Sequence, residues 1–191
     1  TKTAASDLKI DGALLIDQAT SVLDMSVSNF TLDVGGDLTI SNNGTFTPQG
    51  STTHNVAGSW NDLGGTFTPT AGTIVLSESG GGLGTTINIK STNKFFNLTI
   101  NSTENKEAIT ELDVDGDFTI LGGTFINGNL IHNIAGNWND AGGTFTPSGG
   151  TIILFFLFLD ARSTKPIRIV RDRHRASIGI SIRVDRSVIA L

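Results

Sequence analysis

Three carboxylates at alternate positions, Asp113, Asp115 and Asp117, carry a spacing with metal chemistry in it. A calcium loop begins D-x-D-x-D, because a hard cation takes its ligands from carboxylate and carbonyl oxygens. Here the run does not complete the loop. Its sixth position is Phe118, where the loop needs Gly to turn, and its twelfth is Thr124, where a Glu must close on the ion. Carboxylates at every second residue are also what the solvent side of a half-exposed strand carries, and that reading is preferred. Calcium held between neighbouring segments is the sole cofactor the sequence suggests.

Other reactive side chains point away from catalysis. Cys 0 removes disulfides, thiol chemistry and cysteine metal sites together. His54 and His132 sit in the same slot of two similar phrases, HNVAGSWND and HNIAGNWND, whereas a catalytic base is usually made once. Neither a GxSxG elbow nor an HExxH helix anchors a nucleophile or a zinc ion. Trp60 and Trp138, each followed by Asn-Asp, have the chemistry to stack on a sugar ring. Their parity with Val56 and Ile134 turns them to the inside of a strand, so core packing is expected. No catalytic residue is assigned.

These side chains are positioned by a repeat. Residues 32–76 and 112–154 say nearly the same thing, 80 residues apart, and a shorter phrase lies inside each copy. It reads LKIDGALLI from Leu8, LDVGGDLTI from Leu32 and LDVDGDFTI from Leu112, with looser forms at His54 and His132. Gly-Thr-Phe recurs at Gly44, Gly65, Gly123 and Gly143. Steps of 20–24 residues between such phrases fit one coil of a solenoid, whose units bury apolar surface only by stacking. In LDVDGDFTI, Leu112, Val114, Phe118 and Ile120 alternate with polar residues, which is strand periodicity. Gly116 falls on the apolar parity, where a missing side chain indicates a bend or close backbone approach. Asn-Gly and Gly-Gly pairs supply turns. Phe46, Phe67, Phe125 and Phe145 are expected to stack as one internal ladder. The flanking threonines are read as strand-favouring, solvated hydroxyls rather than an ice-matching array.

The expected fold is therefore all-β: a β-solenoid, specifically a right-handed parallel β-helix, over residues 1–154. Within it lie the long repeats 32–76 and 112–154 and a weaker N-terminal unit at 8–31. Tandem β-sandwich modules are the alternative, since 80 residues approaches the size of a small sandwich.

Phe96-Asn97-Leu98-Thr99-Ile100, then LDVDGDFTI, IAGNWND and GGTFTPSGGTIIL, resembles the tandem repeats of large secreted surface proteins of bacteria and archaea. The resemblance covers about residues 8–154. It implies an extracellular, adhesin-like or stalk-forming region and transfers no catalytic residue.

After Leu154 the vocabulary changes. Residues 1–160 hold five basic and sixteen acidic side chains, whereas 161–191 hold eight basic and two acidic ones. Residues 155–191 are read as a terminal cap, a subunit contact or a sequence artefact replacing further repeats. The apolar run Phe155, Phe156, Leu157, Phe158 and Leu159 is the expected subunit contact; it is too short to span a bilayer. No aromatic side chain interleaves the arginines, so nucleic acid is not the expected partner. The chain opens on Thr1 without an export signal, as a mature form or fragment would.

The functional expectation is an extracellular structural protein without catalytic activity: a stalk, filament subunit or surface-layer component. Its partners are then further copies of itself end to end, or neighbouring surface proteins. A glycan-binding adhesin module is the alternative, and a β-helical polysaccharide lyase or hydrolase the third reading.

Overall fold

The computed structural model describes residues 1–155 except Val27, Gln49, Ser51 and 79–84. Among them there is no helix, and every strand ladder is parallel, stacked as a β-solenoid of about seven turns. Parallel pairing excludes the tandem-sandwich alternative, because sandwiches are built from antiparallel neighbours. The chain visits three faces in order on each turn.

The first face holds β2 (Leu8–Ile10), β5 (Leu32–Val34), β8 (Thr53–Val56) and β11 (Thr73–Leu76). It continues through the start of β13 (Asn97–Ala108), the start of β15 (Phe118–Ile126) and β17 (Trp138–Asp140). The second face holds β3 (Leu14–Asp17), β6 (Leu38–Ser41), β9 (Trp60–Leu63) and β12 (Thr85–Asn88), then the ends of β13 and β15, then β18 (Thr144–Thr146). The third face holds β1 (Lys2–Thr3), β4 (Val22–Asp24), β7 (Thr45–Thr47) and β10 (Thr66–Phe67). After residues 89–95, which form no strand there, it resumes with β14 (Asp113–Val114), β16 (Ile131–Ile134) and β19 (Thr151–Leu154). In-register partners on the first face lie 20–24 residues apart, as the phrase spacing predicts, whereas Trp60 and Ile87 on the second are 27 apart.

The core is the inward parity of these ladders. On the second face Leu14, Leu38, Trp60, Ile87 and Ala108 are successive partners. Leu38, Trp60 and Ile87 are fully buried. Each coil buries half its strand residues against the coils above and below, and the apolar column is continuous from Ile16 to Ile152.

The two sequence copies do not stand on the same faces. The Leu32 phrase opens on the first face with β5, and the Leu112 phrase opens on the third with β14. His54 lies on the first face and His132 on the third; Trp60 lies on the second and Trp138 on the first. The 80-residue unit thus spans three and two-thirds turns, and the second copy is turned by one face relative to the first. Between β11 and β14 the chain crosses four further faces, which sets this offset. The expected single phenylalanine ladder is consequently two short stacks: Phe46 on Phe67 (5.7 Å) on the third face, and Phe125 on Phe145 (6.0 Å) on the second.

Candidate functional site

The corners that separate the first two strands of each phrase are built from Gly and Asp. At the corner after β5, Gly36 O accepts from Gly58 N (2.9 Å), and Asp37 Oδ1 accepts from Ser59 N (2.7 Å). At the equivalent corner of the second copy, Gly116 O accepts from Gly136 N (2.9 Å), and Asp117 Oδ1 accepts from Asn137 N (2.8 Å). Gly116 therefore sits where the backbones of two coils touch, as its parity suggested. Asp7 does the same work one coil lower, accepting from Thr31 N at 2.7 Å.

That geometry accounts for the acidic triplet. Asp117 holds the amide of the next coil, and Asn137 Nδ2 donates to it at 2.9 Å. Asp115 pairs with Lys94 at 2.6 Å, a hydrogen-bonded contact that raises the lysine above its ordinary range. Asp113 stands on β14 beside Asn133, and burial, helped by the charge of Asp115, raises its carboxyl. Asp113, Asp115 and Asp117 are thus engaged separately. Among the described residues no group of three or more His, Asp or Glu side chains is placed to hold a metal ion.

The two histidines make the same bond through Nδ1 and differ at Nε2. His54 Nδ1 accepts from Leu32 N (3.1 Å) while its Nε2 faces Thr52 Oγ1 (3.2 Å). His132 Nδ1 accepts from Leu112 N (3.0 Å) while Nε2 donates to Asn127 O (2.7 Å). A backbone N–H is only a donor, so Nδ1 must be the bare nitrogen and both rings are neutral. Phe46 and Phe125 meet the two rings edge-on at the same 5.9 Å.

Trp60 is fully buried, against Phe67 and Phe95. Trp138 is half-buried on the last described turn, stacked on Phe118 at 4.7 Å. Of the expected subunit contact, Phe155 is 43% exposed beyond β19. Phe156, Leu157, Phe158 and Leu159 lie outside the described residues.

A polar cluster inside the solenoid has no counterpart in the sequence reading. Along β13 the inward parity runs Leu98, Ile100, Ser102, Glu104, Lys106, Ala108, all buried. Lys106 is fully buried, with Nζ 3.7 Å from Glu104 Oε2, and it donates to Ala57 O at 3.0 Å. Ala57 lies two turns below. In the turn between them, Ser77 N donates to Val56 O (3.0 Å) and Thr86 N to Ser59 Oγ (3.2 Å). Burial pushes the Lys106 ammonium down from the ordinary lysine range. Glu78 reaches the same region through a hydrogen bond from Thr103 Oγ1.

A second inward carboxylate, Asp62, follows Trp60 on β9. It accepts from Gly65 N (3.0 Å), Lys90 N (3.3 Å) and Asn93 Nδ2 (2.5 Å), and so fastens residues 89–95 where the third face has no strand. Buried polar groups here join one coil to another.

No family model, curated protein or solved structure matches this chain.

Proposed function

We propose that this chain is an extracellular structural protein without catalytic activity: a stalk segment, filament subunit or surface-layer component. The observation that carries this reading is the rotated repeat. Equivalent side chains of the two copies face different directions, while the contacts that join coil to coil are reproduced almost to the tenth of an ångström. A ligand-binding array needs the same side chain at the same azimuth on successive units; a spacer needs only the joints. The sequence resemblance to secreted surface repeats supports the extracellular setting. End-to-end association of further copies would extend the same parallel ladders, since a solenoid grows by stacking one coil on the next.

Electron microscopy of the purified chain, alongside a chain ending at residue 154, tests the filament form. Fibres with a regular axial repeat, lost on truncation, are the expected result. Particles no taller than a single solenoid, about 33 Å for seven coils at strand spacing, would overturn it.

A glycan-binding module is the second reading, and one observation favours it. β13 runs 12 residues without a corner and joins two faces into one wall, with Thr99, Asn101, Thr103, Asn105 and Glu107 on its outward parity. Specific signals on a glycan array, lost in a variant with alanine at Thr103 and Asn105, would establish that reading over a passive spacer. Release of reducing sugar from polysaccharide would instead establish the enzymatic one.

A further inference from the structure

The two histidines are one joint made twice, between the second and third coils and again between the fifth and sixth. In each, a ring buried to within 2% of full coverage accepts, at its bare Nδ1, from a backbone N–H one coil below: Leu32, first residue of β5, or Leu112, just before β14. A proton at Nδ1 would turn this acceptor into a donor facing a donor inside the core. We propose that His54 and His132 are acid-labile latches, which on protonation release Leu32 and Leu112 and loosen the solenoid at two levels.

The surroundings resist protonation in both places. Ile74 and Ile152 are the in-register partners above, and phenylalanine edges lie alongside. Asp33 on β5 and Asp113 on β14 occupy the outward parity. Glu111, just before β14, favours the charged form of His132, as does the bond to Asn127 O, but burial outweighs both. For His54 burial lowers the ring from 6.5 to about 4.

The sign of the effect follows from linkage. A ring that resists its proton when folded and accepts it near 6.5 when unfolded makes the unfolded chain bind more protons on acidification. Stability is complete above pH 6.5, falls as the pH drops below it, and for His54 has fallen fully near pH 4. The change is roughly 300-fold in the folding equilibrium from His54 alone, with His132 adding in the same direction. Asp17, Asp24 and Glu78, whose hydrogen bonds hold them below the usual carboxylate range, give up their contributions only at lower pH. Asp113, whose carboxyl is raised, acts in the opposite sense and favours the folded chain as the pH falls, so a loss between pH 6.5 and 4.5 is not its doing.

Amide hydrogen exchange and ring titration by NMR on the full chain provide the test. The protection factors of Leu32 and Leu112 are expected to fall more than tenfold beyond those of Ile40 and Ile120 between pH 6.5 and 4.5. In a chain carrying His54→Asn and His132→Asn, where an amide oxygen replaces Nδ1, this selective loss should disappear. Rings that titrate near 6.5 in the folded chain would overturn the proposal. So would Leu32 and Leu112 amides that follow the same pH course as the rest of the core.

Discussion

Replacing Lys106 with alanine is expected to lower the stability of the solenoid by about 3–5 kcal/mol, the cost of breaking a buried ion pair from one side. The ammonium is fully buried, and Glu104, only 5% exposed at its side chain, stands 3.7 Å away. Removing the lysine leaves a carboxylate and the Ala57 carbonyl facing the space it occupied. Removing both charges is a different experiment. Lys106→Met with Glu104→Leu fills the same space with apolar groups, a change that often gains 1–4 kcal/mol in roughly such settings. Against this stands the Ala57 carbonyl, now without its donor, at about 1–3 kcal/mol. The double variant should therefore lie close to the original chain. Guanidinium unfolding followed by tryptophan emission measures both, since Trp60 reports the same core. A loss below about 1 kcal/mol for Lys106→Ala would mean that the ammonium is solvated in the folded chain, as an exposed ion pair is.

The same strand shows where sequence ceases to specify structure. Apolar Leu98 and Ile100 fix the inward parity at the start of β13. From Asn101 to Glu107 both parities are polar, Asn101, Thr103, Asn105 and Glu107 against Ser102, Glu104 and Lys106. Alternation then carries no information about which set goes inside, and charge argues for neither. Asp62 was hidden differently. It keeps the inward parity of Trp60, but the donors that satisfy it arrive from Lys90 and Asn93, on the next coil, which local pattern cannot locate.

By contrast, the coil length, the inward Trp60 and the close approach at Gly116 were legible, because each depends on period-two alternation or on one residue type. The rotation of the second copy was not legible for the opposite reason. All three faces accept the same short strand words, so a phrase such as LDV names a strand without naming its face. The face follows only from counting every corner between Leu76 and Leu112, and that stretch carries the residues 77–84 between strands and the strandless residues 89–95. The histidines were legible as a repeated slot and not as joints, since their partners, Leu32 and Leu112, lie a full coil away in sequence.

The Gly-Asp corners depend on close backbone approach, and Gly58→Ala is expected to cost about 1–3 kcal/mol, the usual penalty for forcing extra volume into a packed site. A Cβ on Gly58 would lie 2.6 Å from Asp37 N and Gly36 C, backbone atoms with no freedom to rotate away. It would also press on the Asp37 carboxylate that holds Ser59 N. Gly136→Ala meets the same obstacle, 2.5 Å from Gly116 O and Asp117 Oδ1. Gly136 is only half-buried, on the last described turn, so its loss should be the smaller of the two. Gly12, at the first such corner, is the control. Nothing lies within 4 Å of its Cβ position and its backbone is outside the left-handed region, so Gly12→Ala should be neutral or gain up to ~1 kcal/mol by restricting the unfolded chain. Thermal unfolding of the three variants orders them. If Gly58→Ala and Gly12→Ala melt together, the glycines are there for turning the chain and not for coil-to-coil contact. If Gly58→Ala alone falls, the Gly-Asp phrase is what sets the spacing between coils, and its recurrence reflects a requirement of stacking rather than of any ligand.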